Sequence, residues 1–140
     1  LENADVDRAV AAWPDFEQVE LRIHELFGAD SLALKAVQET RAKYVSRDEL
    51  RGQLLRLRAA WPEVRDRLTR HLIPSAEVRS MLQAAGCPTR PEQIGISRER
   101  LRLSYDQAYY IRRRFTVLDV ARRFGVFDDA LDRIFTAGGD

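Results

Sequence analysis

Apolar residues return every three or four positions along almost the whole of this chain. Nowhere do apolar and polar residues alternate over more than four positions. A period near 3.6 lines residues up on one stripe of an α-helix, whereas a half-buried strand needs a period of two. Helices are therefore expected throughout and strands nowhere. Phe16, Val19, Ile23, Leu26 and Phe27 form the first stripe. It lies between Pro14, a residue tolerated at a first helical position, and a stop at Gly28. Asp30 or Ser31 can cap a second helix carrying Leu32, Leu34, Val37 and Tyr44. Ser46 with Glu49 is a capping-box pattern, opening a third helix with Leu50, Leu54, Leu57 and Trp61 on one side. Pro62 reads as the start of a fourth, with Val64, Leu68, His71 and Leu72 in phase.

The Ile73–Pro74 step ends that helix, because a residue before proline avoids the helical region. Residues 75–85 read as a fifth helix, with Val78, Leu82 and Ala85 inward and Gly86 as a left-handed cap. Residues 87–96 hold Pro88, Pro91 and Gly95 and form a loop, with a single turn at Pro91–Ile94. Ser97 caps a longer segment with a break expected near Ser104. Thr116 caps the next helix, which Gly125 ends. Asp128 or Asp129 starts the last, and 136–140 should fray. Trp13-Pro14-Asp15 and Trp61-Pro62-Glu63 echo each other, which reads as one way of starting a helix used twice and not as a repeat. The expected fold is all-α, a multi-helix bundle of about seven to nine helices, in one domain spanning 1–140.

Composition narrows the chemistry. The chain has 23 basic and 22 acidic residues, for a net charge of +1. Affinity for nucleic acid comes largely from neutralising phosphates, so this balance gives it no general support and leaves only a local basic face. One cysteine, Cys87, excludes an intrachain disulfide, and two histidines exclude a Cys–His zinc cluster. A lone thiol suits the cytoplasm. No apolar run approaches the ~20 residues that span a bilayer, so no membrane partner is expected.

Motifs for chemistry are sparse. A glycine-rich phosphate loop and an H-E-x-x-H pair are both missing. His24 and His71 read as structural. Cys87 has no histidine near it in sequence and reads as a small, half-buried loop residue. The densest positive charge is Arg112, Arg113 and Arg114. Guanidinium forks suit phosphate, but three successive helical residues project about 100° apart and cannot share one ligand. Cations at a helix C-terminus also complement its dipole. Residues 116–135 imitate a DNA-reading helix-turn-helix, with Thr116, Val120, Ala121, Gly125, Val126, Leu131 and Ile134 at familiar spacings. The residues against the bases would be Phe127, Asp128, Asp129 and Ala130, and two aspartates repel a polyanion.

Over 74–125 an ordered string of residues stands out. It comprises Ala84-Ala85-Gly86-Cys87-Pro88, Pro91-Glu92-Gln93-Ile94-Gly95-Ile96-Ser97, Leu101-Arg102, Ser104-Tyr105, Ala108 and Ile111 through Asp119. This string resembles the C-terminal helical region of sn-glycerol-1-phosphate dehydrogenases, in particular the bacterial AraM-like branch. That branch lies within the iron-containing alcohol dehydrogenase and glycerol dehydrogenase superfamily. Trp13-Pro14, Glu39 to Tyr44 and Leu54 to Trp61 match more loosely.

The resemblance implies the C-terminal domain of a dehydroquinate synthase-like fold, preceded in the parent by a Rossmann-like domain that binds NAD(P). It implies a divalent metal (zinc, nickel or iron) held before the stretch covered here. The implied reaction interconverts dihydroxyacetone phosphate and glycerol-1-phosphate, with the missing domain as partner and a possible homo-oligomer. No catalytic, metal or cofactor residue carries over to this chain. Arg112, Arg114 and Thr116 match the family-like Arg-x-Arg-Phe-Thr string and are the candidate substrate-binding residues. Two alternatives stand beside this reading: a freestanding helical interaction module, and a DNA-binding regulator using 116–135.

Overall fold

A computed structural model describes residues 1–136. Eight α-helices and one 3-10 turn make up the described residues, with no strand among them. The helices are α1 (Val6–Ala11), α2 (Phe16–Phe27), α3 (Ser31–Arg41), α4 (Arg47–His71), α5 (Ser75–Ala84), α6 (Arg98–Tyr110), α7 (Val117–Arg123) and α8 (Phe127–Thr136). The 3-10 turn is Pro91–Ile94. The all-α bundle expected from the periodicity is therefore present. No helix among the described residues is long and apolar enough to cross a membrane. The fraying expected at 136–140 falls, beyond Thr136, outside the described residues.

Local signals explain most boundaries. Asp15 caps α2, so Pro14 precedes the cap and does not occupy the first helical turn. Asp30 accepts from the Leu32 and Ala33 N–H groups, and Ser46 and Glu49 form the capping box of α4. Thr116 with Asp119 does the same for α7. Gly125 takes φ 68° between α7 and α8, a left-handed turn that a side chain would disfavour.

Four expectations need correction. First, α1 was not anticipated: it is six residues long, although Asp5 caps it and Val6, Ala9 and Val10 share its inner face. Second, Pro62 starts no helix and lies inside α4. Leu50, Leu54, Leu57, Trp61, Val64 and Leu68 are spaced 4, 3, 4, 3 and 4, so the apolar row passes through the proline in register. The helix continues without one backbone bond, that from position 62 to the Arg58 carbonyl. The two Trp-Pro sites therefore differ: Trp13 is buried with its indole N–H donating to the Val45 carbonyl at 2.9 Å, while Trp61 lies half-buried within α4. Third, α6 runs through Ser104 unbroken, the Ser104 hydroxyl donating to the Arg100 carbonyl at 3.0 Å. Fourth, Val78, Leu82 and Ala85 do not face a core. They are exposed, as is Cys87.

Two apolar clusters hold the body together. In one, Val6, Val10 and Trp13 meet Leu50 and Leu54 of α4 and Phe124. In the other, Val19 and Ile23 of α2 meet Ala33 and Ala36 of α3 and Tyr109 and Tyr110 of α6. Tyr44 touches both. It stacks on Trp13, meets Phe16 edge-on, and donates its hydroxyl to the Pro14 carbonyl at 2.8 Å. Beyond this body the chain is open. Every residue from 65 to 88 is exposed, so the far half of α4 and all of α5 form an arm.

Candidate functional site: the loop between α6 and α7

Helix α6 ends at Tyr110, so Arg112, Arg113 and Arg114 lie in the connection to α7 and not on a helix. The end of α6 is set by α3 and the residues after it. Thr40 Oγ1 donates to the Tyr110 carbonyl at 3.0 Å, and Lys43 Nζ donates to the Tyr109 carbonyl at 2.5 Å. A cation there also meets the negative end of the helix dipole. Tyr109 and Tyr110 are buried edge-to-face, and burial raises both phenol pKa values above the ordinary range. Both stay protonated.

Arg113 reaches back across the surface to α3. Its Nε and one terminal nitrogen donate to the two Glu39 oxygens at 2.8 and 2.9 Å, and its backbone N–H adds a third bond at 3.2 Å. A planar fork on a carboxylate is the strong form of this pair. Lys35 Nζ reaches Glu39 at 2.8 Å. Arg113 first, then Lys35, hold the Glu39 carboxyl well below the usual carboxylate range.

The far end of the loop is tied as well. Asp119 Oδ2 accepts from the Thr116 N–H at 2.8 Å and the Thr116 hydroxyl at 3.0 Å. Asp119 Oδ1 lies 2.9 Å from Lys43 Nζ, close but off the hydrogen-bond direction. Both side chains of this pair are almost completely buried. Desolvation lowers the Lys43 pKa, with Asp119 opposing it. Arg123 donates to the Lys43 carbonyl at 2.8 Å, bonds Gln53, and lies 4.9 Å from the Phe115 ring centre.

The three candidates thus have different fates. Arg112 and Arg114 are exposed on either side of the pinned Arg113, and among the described residues neither guanidinium has a hydrogen bond or ion pair. Thr116 is committed to its cap: its oxygen accepts from the Leu118 N–H at 3.2 Å and its proton goes to Asp119. It shapes the loop and has little capacity left for a ligand. The site can hold an anion. It offers no nucleophile and no acid–base pair.

Sequence reasoning missed the ties themselves. A signal was present, since of 23 basic residues only Lys35 and Lys43 are lysines, and each pairs with a buried acid, Glu39 or Asp119.

The remaining candidates resolve simply. His24 Nδ1 lies 3.0 Å from the Gly28 carbonyl and His71 Nδ1 lies 2.7 Å from the Arg67 carbonyl, each within its own chain turn. No group of three or more His, Cys, Asp or Glu that could hold a metal occurs among the described residues. In the helix-turn-helix scheme Phe127 would read bases, yet it is buried, with Arg122 3.7 Å from its ring centre. The exposed start of α8 is then led by Asp128 and Asp129, a poor surface for a polyanion. Comparisons of the chain with protein-family models, with curated proteins and with solved structures each return no match.

Proposed function

We propose that this chain is the all-helical part of a two-part, NAD(P)- and metal-dependent oxidoreductase of the sn-glycerol-1-phosphate dehydrogenase type. In this reading its α6–α7 loop helps bind the phosphate of a small phosphorylated polyol. The observation that carries the reading is the loop itself. Within the string that resembles the family, the Arg112 and Arg114 guanidiniums have no hydrogen bond or ion pair among the described residues, on a backbone pinned by Glu39, Lys43 and Asp119.

A phosphate asks for this arrangement. Each guanidinium can donate two parallel hydrogen bonds to phosphate oxygens. A loop ordered in advance loses less freedom when the ligand arrives. Thr116 acts through the loop: its cap fixes where Arg114 leaves the body. The exposed arm supports a two-part protein, because Leu68, Leu72, Ile73, Val78, Met81 and Leu82 are all exposed on it, and exposed apolar patches mark interaction surfaces. The nicotinamide and the metal ion belong, in this reading, to the other part. A cytoplasmic location accompanies the same reading.

The test is kinetic, on the intact gene product. Arg112→Ala and Arg114→Ala should each raise KM for the phosphorylated substrate about tenfold, the size of a lost charge-assisted hydrogen bond. The effect on kcat should be smaller. An unchanged KM in both variants and in Thr116→Ala refutes the phosphate role.

A further inference from the structure

A second group of arginines lies away from that loop, around a cavity. Helix α5, the 3-10 turn, α6 and the end of α8 enclose a cavity of about 510 Å³, within the size range of small-molecule sites. One wall is apolar: Leu101 and Tyr105 of α6 with Ile134 and Phe135 of α8. Tyr105 meets Phe135 edge-on, ring centres 6.0 Å apart, which gives that wall a fixed shape. The lining also includes Arg79 of α5, Arg90 before the turn and Arg98 at the start of α6. Glu92 is the one acid among the residues lining it.

These arginines are partly set in place. Arg98 donates to the Phe135 carbonyl at 2.9 Å, which draws its guanidinium onto the apolar wall. Arg90 is fixed at its backbone, where the N–H donates to Gln93 Oε1 at 2.9 Å and the Thr89 N–H joins the same oxygen at 2.7 Å. Arg79 and Arg90 make no ion pair among the described residues. Arg79 and Arg90, with the single acid Glu92 and an aromatic and aliphatic wall, form an amphipathic cavity. Surface arginines on a helical protein usually pair with neighbouring acids, as Arg22, Arg102 and Arg122 do here.

The geometry points to this cavity as a binding site for an organic phosphate monoester whose phosphate lies against Arg79 and Arg90 and whose apolar body packs on Tyr105 and Phe135. The dianion matches the excess of guanidinium over carboxylate. The apolar wall demands a hydrophobic substituent, so inorganic phosphate should be an inferior ligand. This site is independent of the dehydrogenase reading, since it needs only the residues of this chain.

The experiment is calorimetric titration of the chain with phenyl phosphate, benzoate and inorganic phosphate at fixed salt. Phenyl phosphate should bind saturably with one site, about tenfold or more tighter than either other probe. Arg79→Ala and Arg90→Ala should each weaken it by a similar factor, and both are exposed, so helicity by circular dichroism should stay unchanged. Phe135→Leu should weaken phenyl phosphate and leave inorganic phosphate as it was. Absence of saturable binding overturns the proposal. So does equal affinity for phenyl phosphate and inorganic phosphate, for phenyl phosphate and benzoate, or for the parent chain and both arginine variants.

Discussion

Lys43 and Asp119 are the pair on which the loop depends, and their burial decides what substitution does. Removing one partner of a buried ion pair strands the other charge, at a cost of about 3–5 kcal/mol. Asp119→Ala should therefore lower the unfolding free energy by that amount in urea, and Lys43→Met by a comparable one. The double variant should lose clearly less than the sum, because neither charge is then left behind. Additive losses would show that the two side chains do not interact. Glu39 gives a dependence on pH. Its folded-state pKa is depressed by Arg113 and Lys35, so its contribution is present above the unfolded value near 4.3 and lost as pH falls below it. The stability gap between the parent chain and Glu39→Gln should shrink steadily below about pH 4. A gap that stays constant in acid would contradict the pairing. At this scale the sequence was only partly legible. The guanidinium cluster was visible, but its division into one residue paired with an acid and two left exposed on either side depended on Glu39, 74 positions from Arg113.

At the scale of the helices, capping chemistry was the reliable guide. Ser46–Glu49 and Thr116–Asp119 mark starts that the structure keeps, because an N-cap is a local interaction. Pro62 misled because proline was read by its usual place at a helix start. The apolar row across it stays in phase, and the packing of Leu50 and Leu54 against α1 anchors the helix that carries it. Pro62→Ala restores a donor for the Arg58 carbonyl, worth about 3 kcal/mol in a helix interior. Amide hydrogen exchange over 63–68 should slow in that variant, and unchanged exchange would mean that α4 does not pass through the proline. The apolar stripe of α5 was also visible in the sequence, yet periodicity says which face is apolar and not what covers it. Leu54→Ala should cost about 2–5 kcal/mol, whereas Leu72→Ala, on the arm, should change stability by less than about 0.5 kcal/mol. Equal costs would place the arm inside the core.

Taken as a whole, the molecule is a packed body of α1–α4 and α6–α8 with an open arm and a pinned cationic loop. The fold class was legible because helical periodicity is local. The open arm was not, since periodicity marks an apolar face but not whether other helices cover it. Turnover decides the central reading. The intact gene product, supplied with dihydroxyacetone phosphate, a reduced nicotinamide and a divalent metal ion, is assayed for nicotinamide oxidation beside the 140-residue chain alone. The account predicts substrate-dependent oxidation by the intact protein and none by the chain. Failure of the intact protein with every nicotinamide and metal tried, or activity in the isolated chain, contradicts it.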